Sequence, residues 1–343
     1  MKIKNFEIGS RALIIAEIGN NHLGDPDLAH KTLEAAAESG VDAIKFQLFN
    51  PNLLVSNDAP VLRHVPDRIH GTQRERFKSM LLPPGAFARL AEHAKELGKV
   101  FLTTPFDEKS ADILEDLVPA FKIASGDANN TPLLKYIISK GKPVLISTGT
   151  CEQEEVDKLV SIIPKDNSVL LHCVGSYPTP DDQASLSMIP FYRERYGIFT
   201  GYSDHTAGIL APLAAISMGA VVLEKHFILD KSLPAGDREV SLTPKEMFGL
   251  VKEIRRVESM LGRTPRKVLP CEKYGRTNLR RGAYAGRDIK TDEKVTIRDI
   301  IWLRPEVEKG LSFDDINKFH SLSAKEEILF EQPLTLDNVT LVK

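Results

Sequence analysis

Short apolar runs recur from the N-terminus to Gly262, and longer segments with helical spacing separate most of them. Eight runs are typical of buried strands: ALIIAEI (12–18), DAIKFQLF (42–49), KVFLTT (99–104), AFKIAS (120–125), PVLIST (143–148), SVLLHCV (168–174), IFTGYS (198–203) and AVVLEKH (220–226). Strands that alternate with helices predict an α/β fold with a parallel sheet. Eight is the strand number of a closed (β/α)₈ TIM barrel, which usually takes about 250 residues. An open, doubly wound sheet is the alternative, but no glycine-rich dinucleotide motif follows the first strand, so we favour the barrel.

Helix start signals support this pattern. Asp25-Pro26 and Thr131-Pro132 each place a capping residue before a proline at the first helical position. Thr243 is followed three residues later by Glu246, which predicts a capping box. The segment from Glu246 to Leu261 is therefore expected to be the last barrel helix.

The residue composition of the chain changes after Gly262. Residues 263–282 are rich in basic residues, proline and glycine, which is typical of a linker. Short alternating runs then return in AYAGRDI (283–289), KVTIRDIIWLRP (294–305) and ILFEQPLTLDNVTLV (328–342). We therefore predict a barrel domain over residues 1–262, a linker over 263–282 and a small β-rich domain over 283–343.

Composition excludes several classes of protein. Of the 343 residues 42% are apolar and 27% are charged, and the formal net charge is −2, so a general nucleic-acid-binding surface is not expected. No stretch of apolar residues is long enough to span a membrane or to act as a secretory signal. The three cysteines are widely spaced, which argues against a disulfide framework. We expect a cytoplasmic protein with no nucleic-acid or membrane partner.

Polar residues cluster at the carboxyl ends of the predicted strands, where barrel enzymes carry their chemistry. They are Glu17, Lys45, Gln47, Thr103, Thr104, Lys122, Ser125, Ser147, His172, Ser203, His205, Glu224 and His226. Residues two apart in a strand face the same side, so Lys45 shares a face with Gln47, and Glu224 shares one with His226. A barrel that served stability alone would not need this density of polar groups.

The two lysines admit two interpretations. A buried lysine needs a partner. Lys45 and Lys122 could pair with Glu17 and Glu224 inside the barrel. Alternatively, they could form a phosphate or carboxylate pocket together with the hydroxyl groups of Thr104, Ser125 and Ser147.

The two histidines also admit two interpretations. His205 and His226 lie at the ends of neighbouring predicted strands. Imidazole ligands suit Mn, Co, Zn or Fe better than Ca. A metal site and a catalytic acid/base pair both remain open from the residues alone.

Ordered motifs along nearly the whole chain resemble the sialic acid synthase family. They are IIAEIGNNHLGD (14–25), DAIKFQLF, FLTTPFD (101–107), FKIASGDANN (121–130), LISTGT (145–150), SYPTP (176–180), GYSDHTAG (201–208) and LEKHF (223–227). The C-terminal AYAGRDI and WLRP (302–305) resemble the antifreeze-like (SAF) domain of those enzymes. The resemblance implies condensation of phosphoenolpyruvate with a 2-acetamido hexose such as N-acetylmannosamine, giving a nine-carbon 2-keto acid and phosphate. It also implies a divalent metal, Mn²⁺ before Mg²⁺ or Co²⁺, and a homodimer in which each antifreeze-like domain caps the partner's barrel.

The resemblance also implies a role for individual residues. His205 and His226 match the metal ligands, and Glu17 matches an active-site glutamate. The residues that match the phosphoenolpyruvate pocket are Lys45, Thr104, Lys122, Ser125, Ser147 and Ser203. Those that match positions near the sugar are Gln47, Tyr177, Asp237 and Arg304, the last in the antifreeze-like domain.

Two places depart from the family pattern, and both lie on the expected sugar side. Gly175 stands where some relatives have asparagine or serine, and RHVPDRIHGTQRERFKSM (63–80) replaces an acidic, serine-rich loop. The acceptor is therefore N-acetylmannosamine or, alternatively, a 6-deoxy diacetamido sugar that leads to legionaminic or pseudaminic acid. Other phosphoenolpyruvate-dependent barrel synthases would not predict the small C-terminal domain. A non-catalytic carbohydrate-binding protein would not need Glu17, Lys122 or the two histidines.

Overall fold

A computed structural model describes residues 1–62, 65, 71–262, 265–318 and 321–342 of the chain. The chain divides into two compact units, Met1–Gly262 and Arg263–Lys343. The first unit begins with a short antiparallel hairpin, β1 (Lys2–Ile3) and β2 (Phe6–Glu7). Eight parallel strands then close into a barrel in chain order: β3 (Leu13–Gly19), β4 (Ala43–Leu48), β5 (Val100–Pro105), β6 (Phe121–Ile123), β7 (Val144–Ser147), β8 (Ser168–Cys173), β9 (Phe199–Asp204) and β10 (Val222–His226). The predicted (β/α)₈ barrel is confirmed. Each of the eight apolar runs coincides with one of its strands, and β3, β5 and β9 extend one residue past the end of their runs.

Helices connect the barrel strands. They are α1 (Pro26–Glu38), α2 (Pro51–Leu54), α3 (Gln73–Ser79), α4 (Pro84–Glu96), α5 (Glu108–Leu114), α6 (Thr131–Ser139), α7 (Gln153–Ile162), α8 (Met188–Tyr196), α9 (Leu210–Ser217) and α10 (Pro244–Leu261). Asp25 caps α1, and Thr243 forms the predicted reciprocal capping box at the start of α10. The start of α6 is shifted from the prediction: Asn130 is the cap, and its side chain accepts a hydrogen bond from the Leu133 amide. Asparagine is as good a cap as threonine, so the competition between neighbouring candidates is not resolved by residue type.

The barrel interior changes character along its axis because successive side chains of each strand alternate between the interior and the helices. At the amino ends of the strands, Leu13, Ile15, Val100 and Leu171 pack in one apolar cluster, together with Ile3 from the hairpin. At the carboxyl ends the same alternation brings polar residues inside. The intervening residues, such as Ile14, Ile44 and Phe121, pack against the helices in the main core. The apolar layer at the amino ends of the strands stabilises the closed barrel, and the polar layer at the carboxyl ends contains the residues that can take part in chemistry.

The second unit is β-rich. It contains α11 (Lys273–Asn278), β11 (Gly282–Ala285), β12 (Lys294–Val295), β13 (Ile300–Leu303), α12 (Phe313–Asn317), β14 (Ser321–Ala324) and β15 (Val339–Val342). Strands β11 and β13 form one antiparallel pair, and β12, β14 and β15 form a three-stranded antiparallel sheet. A separate small core includes Ala285, Ile289, Val295 and Ile328. Within the segment predicted as a linker the structure has the short helix α11.

Among the described residues, none of the helices combines the length and the apolar character that crossing a membrane requires.

Candidate active site

A cavity of about 380 Å³ opens at the carboxyl ends of the barrel strands. Its volume lies in the range of about 300–1,000 Å³ that is common for small-molecule sites. The barrel residues predicted for the site all line it: Glu17, Lys45, Gln47, Thr104, Lys122, Ser125, Ser147, Tyr177, Ser203, His205, His226 and Asp237. Two other strand-end residues, Thr103 and His172, do not line this cavity. His172 instead contacts the Ala184 carbonyl oxygen through Nε2 at 2.8 Å and stacks on Tyr202. Arg304 is an exposed residue of the second unit.

Lys45 is the centre of one charged group in the cavity. Its Nζ lies 2.6 Å from Glu17 Oε2 and 3.7 Å from Glu224 Oε2, and it donates a hydrogen bond to Thr104 Oγ1 at 3.1 Å. Gln47 Nε2 donates to the other oxygen of Glu17 at 2.7 Å. Both Glu17 oxygens are therefore held in place, and the carboxylate cannot rotate without breaking a contact.

Lys122 is the centre of a second charged group. Its Nζ donates to Ser147 Oγ at 2.8 Å and to the Ile123 carbonyl oxygen at 2.9 Å, and lies 3.8 Å from Glu224 Oε1. Ser203 Oγ donates to the same Glu224 oxygen at 3.1 Å. Both interpretations of the lysines are thus compatible with the structure. The lysines pair with Glu17 and Glu224, and hydroxyl groups lie beside them where an anion could join.

Burial and charge shift the pKa values of these groups in different directions. Burial raises the pKa of Glu17 to about 7, although Lys45 opposes the shift. Burial also raises the pKa of Glu224, but Lys122 and Lys45 outweigh it, so the pKa is lowered overall. The pKa of Lys122 is lowered by burial. Two carboxyl groups in one cavity therefore have different proton affinities, which is a common arrangement in acid–base catalysis.

The two histidine rings lie beside each other, with centroids 5.3 Å apart. His205 Nδ1 lies 2.8 Å from the Val174 carbonyl oxygen. A carbonyl only accepts, so we assign the proton of His205 to Nδ1, which leaves the lone pair on Nε2. His226 Nδ1 is buried without a hydrogen-bond partner and lies 3.6 Å from Asp237 Oδ2. Burial keeps the pKa of His226 well below its usual value, so this ring is neutral.

These features fit a divalent transition metal, which needs neutral imidazoles with free lone pairs. His226 meets that requirement, because it is neutral and has an unpartnered nitrogen, and the ring of His205 is oriented by the Val174 carbonyl oxygen. Within the part of the chain that the structure describes, no group of three or more His, Cys, Asp or Glu side chains could hold a metal ion. A metal held by these two histidines would therefore take its remaining ligands from water or substrate.

The loop that carries Asp237 is tied to the first barrel strand. Asn21 Nδ2 donates to the Phe227 carbonyl oxygen at 2.9 Å and lies 3.0 Å from Ser241 Oγ. Ser241 Oγ in turn donates to the Asp237 carbonyl oxygen at 2.7 Å. Tyr177 covers the His205 ring, with centroids 4.0 Å apart. The aspartate, the tyrosine and the histidines therefore form one side of the cavity.

The cavity is also lined by residues that sequence reasoning missed. Leu54, Val55, Leu62, Phe77 and Phe106 give it an apolar surface, and Asn20, Gln73, Arg76 and Cys173 add polar groups. Most of the apolar residues lie on loops or short helices outside the barrel strands, so their spacing carried no signal. A β-carbon at Gly236 would lie 2.3 Å from the guanidinium of Arg76, so glycine is needed where this buried arginine packs beside Asp237.

The two departures from the family pattern have different outcomes. At Gly175 a β-carbon would lie 2.7 Å from Thr150 Cγ2, so asparagine or serine would require a shift there. In the segment 63–80, residues 63, 64 and 66–70 lie outside the described residues, and α3 follows them.

Comparison with known proteins agrees with the geometry. The model of the NeuB family matches residues 32–266. The chain is 39% identical over 302 residues to the N,N'-diacetyllegionaminic acid synthase of Legionella pneumophila, covering 85% of each protein. It is 33% identical over 308 residues to the N-acetylneuraminate-9-phosphate synthase of Mus musculus, covering 88% of this chain and 86% of the relative. The crystal structure of the N-acetylneuraminic acid synthetase of Leptospira borgpetersenii superposes with a TM-score of 0.72 at 34% identity, covering 80% of this chain and 94% of that one. The chain therefore belongs to the NeuB family of sialic acid synthase-like enzymes.

Proposed function

We propose that the protein condenses phosphoenolpyruvate with the open-chain aldehyde of a 2-acetamido hexose. The products are a nine-carbon nonulosonic acid and phosphate. One observation carries the proposal: two buried lysines with adjacent hydroxyl groups share a single cavity with two oriented histidines and a glutamate. The relatives named above are synthases of such acids, which supports the same reaction class for this chain.

Phosphoenolpyruvate would bind at the part of the cavity that contains Lys45 and Lys122, called here the lysine side. Lys45 and Lys122 each have a hydroxyl neighbour, Thr104 and Ser147, that can also donate to an anion. Ser125 and Ser203 line the same region. Charge-assisted contacts of this kind hold phosphate and carboxylate groups more strongly than neutral ones do.

His205 and His226 would hold a divalent cation, Mn²⁺ before Mg²⁺ or Co²⁺. When bound, such an ion supplies Lewis acidity to the aldehyde oxygen of the sugar. The protein's own part is to keep His226 neutral by burial and to orient the His205 ring through the Val174 carbonyl oxygen. Asp237, Tyr177 and Gln47 line the same cavity, and in this proposal they bind the sugar.

The reaction balances without a redox partner. The C3 carbon of phosphoenolpyruvate forms a bond to the aldehyde carbon while the aldehyde C=O π bond opens to an alkoxide. The alkoxide takes up a proton, and positive charge develops at C2. Water adds at C2 and loses a proton, and the tetrahedral intermediate then releases phosphate. Glu17 is suited to stabilise the cation or to accept the proton, because its raised pKa of about 7 lets it exchange a proton near neutral pH.

The apolar side of the cavity favours a second candidate for the acceptor. Leu54, Val55, Phe77 and Phe106 offer a surface that suits a methyl group better than a hydroxymethyl group. A 6-deoxy diacetamido sugar, the precursor of a legionaminic acid, carries such a methyl group at C6. The Legionella pneumophila relative is named for that product.

A quaternary arrangement and a cellular location complete the proposal. The protein acts as a homodimer in which the second unit, an antifreeze-like domain, caps the partner's barrel and offers Arg304 to the sugar; the resemblance alone supports this. A cytoplasmic location is supported by Cys151, Cys173 and Cys271, which are all free thiols.

Phosphate release tests the proposed function. Purified protein is mixed with phosphoenolpyruvate and, in separate reactions, N-acetylmannosamine, its 6-phosphate and the 2,4-diacetamido-2,4,6-trideoxy mannose analogue. Each reaction is run with Mn²⁺, Mg²⁺ or Co²⁺ after chelation. We expect release with at least one sugar, and the fastest release identifies the acceptor. Absence of release with every sugar would contradict the synthase assignment, and full turnover after exhaustive chelation would contradict the metal role.

A further inference from the structure

A buried ion pair lies directly behind the two histidines, on the side of the barrel wall that faces away from the cavity. Lys225 stands between Glu224 and His226 in β10, and Asp204 stands just before His205 at the end of β9. The two residues are direct neighbours across the parallel strands. Both side chains are fully buried, and Lys225 Nζ lies 2.6 Å from Asp204 Oδ2.

The pair also holds the turn that follows β9. Lys225 Nζ donates a second hydrogen bond, to the Thr206 carbonyl oxygen. The other oxygen of Asp204 accepts hydrogen bonds from the amide and from the hydroxyl group of Thr206, each at 2.8 Å. Residues 204 and 206 are therefore both fixed to the barrel wall, with His205 between them.

His205 itself makes two contacts that depend on this turn. Its carbonyl oxygen accepts a hydrogen bond from the Thr179 amide at 2.8 Å, and its Nδ1 donates to the Val174 carbonyl oxygen at 2.8 Å. The second contact decides which ring nitrogen faces the cavity with a free lone pair. A small rotation of the turn would break it.

Stability alone is a poor explanation for the ion pair. Removing two charges from water is costly, and apolar residues often fill such a position equally well. Buried pairs are better understood where they fix one geometry among several.

We propose that Lys225 and Asp204 are positioning residues, which fix the turn 204–206 so that the His205 ring keeps its proton on Nδ1 and its Nε2 lone pair towards the cavity. They act through the backbone and do not contact substrate. Partners behind a metal ligand typically change metal affinity by about 10- to 100-fold when they are removed. The metal measurement below rests on the proposed function, whereas the ring measurement does not.

Three variants test this inference. Lys225→Met removes the cation and keeps the bulk of the side chain. Thr206→Val removes only the hydroxyl contact to Asp204 and keeps the shape. Arg255→Met is the matched control, because Arg255 Nη2 lies 2.6 Å from Asp42 Oδ2 in another strongly paired group, at the amino end of the barrel strands.

The primary readout is the ring tautomer of His205 in metal-free protein, measured by ¹⁵N–¹H correlation spectra and assigned with His205→Asn. The second is Mn²⁺ affinity, measured by electron paramagnetic resonance without substrates. In Lys225→Met we expect loss of the single Nδ1–H tautomer and Mn²⁺ binding about 10- to 100-fold weaker. Thr206→Val should show a partial change of the same kind, and Arg255→Met should show neither.

The ring tautomer decides the outcome. An unchanged His205 tautomer in folded Lys225→Met would overturn the inference. If that variant does not fold, an unchanged tautomer in Thr206→Val overturns it instead, because that isosteric change removes the hydroxyl contact through which Asp204 holds the turn. An equal effect in Arg255→Met would also overturn it, since the cause would then be general destabilisation. Wild-type protein that fails to bind Mn²⁺ refutes the proposed metal and leaves the tautomer measurement valid.

Discussion

Replacing Lys122 with alanine should mainly weaken the binding of phosphoenolpyruvate. The ammonium group of Lys122 has three N–H donors, and two of them already bond to Ser147 and to the Ile123 carbonyl. The nearest carboxylate oxygen, on Glu224, is 3.8 Å away, which is too far for a strong hydrogen bond. One donor therefore remains available for an anion in the cavity.

The size of the effect follows from that one contact. A hydrogen bond between charged groups contributes about 1.5–3 kcal/mol. At about 1.4 kcal/mol for each factor of ten, this corresponds to a rise of roughly 10- to 150-fold in the KM for phosphoenolpyruvate. The sugar KM should change much less, because Lys122 lies on the lysine side of the cavity. Burial lowers the pKa of Lys122, so the contact should weaken further at alkaline pH as the ammonium loses its proton.

The assay measures phosphate release while each substrate is varied in turn. Lys140→Ala is the control, because Lys140 pairs with Asp112 and Glu115 on the helical surface of the barrel. Thermal unfolding of both variants shows whether the barrel is intact. A phosphoenolpyruvate KM within twofold of wild type, together with a raised sugar KM, would refute the reasoning and move Lys122 to the sugar side.

Three other changes test separate parts of the structure. Because burial raises the pKa of Glu17 to about 7, the kcat of the wild type should fall as the pH drops below about 7. Glu17→Gln should be slow, and its kcat should not show this acidic decline. If the kcat–pH profile of Glu17→Gln keeps the decline, another group causes it. Because of the same shift, Glu17 holds its proton more tightly in the folded protein than in the unfolded chain. As the pH rises from about 4.5 to 7, the free energy of unfolding of the wild type should therefore decline, and that of Glu17→Gln should decline less; urea titrations measure both. Gly201→Ala should lower the free energy of unfolding by about 1–3 kcal/mol in urea titrations, because the added β-carbon would lie 2.5 Å from the Val222 carbonyl oxygen. A decrease below about 0.5 kcal/mol would contradict this contact. Arg304→Lys should raise the sugar KM with little change for phosphoenolpyruvate, because a lysine cannot reproduce the two donors of a guanidinium; a selective rise for phosphoenolpyruvate would argue against the sugar role.

Mixing two inactive variants tests where Arg304 acts. In the proposed homodimer, Glu17→Ala and Arg304→Ala subunits that exchange form hybrids, and each hybrid has one complete site if the cap comes from the partner. Activity should then recover to about one quarter of wild type, because about half of randomly paired dimers are hybrids with one intact site of two. Verified exchange without recovery would place Arg304 at its own chain's site or at none.

The local pattern of apolar and polar residues was sufficient to predict the barrel strands and the residues that face its interior. The period of two in ALIIAEI and AVVLEKH places Leu13, Ile15 and Glu17 on one face, and Glu224 and His226 on one face, whatever the rest of the chain does. Because parallel strands share a carboxyl edge, the polar ends of eight strands had to meet there. The interior position of the site residues was therefore predictable before any contact was known.

Only the tertiary structure decided which charged side chains in the cavity contact each other. Lys45, Glu17 and Glu224 come from three strands, and Glu224 is far from the other two in sequence, so no spacing rule could show that Lys45 contacts both carboxylates. The apolar side of the cavity depends on where α2, α3 and the loops around them lie.

Residue type alone does not distinguish neighbours near a strand end. Thr103 and Thr104 are adjacent and chemically alike; the motif resemblance selects Thr104, and the structure confirms that only Thr104 of the two lines the cavity, in register with Gln47. Lys225 resembles any strand lysine in the sequence, and its role became visible only when register placed it beside Asp204. Periodicity thus determined which faces exist, whereas register and loop packing decided which atoms meet, because those contacts join segments far apart in the chain.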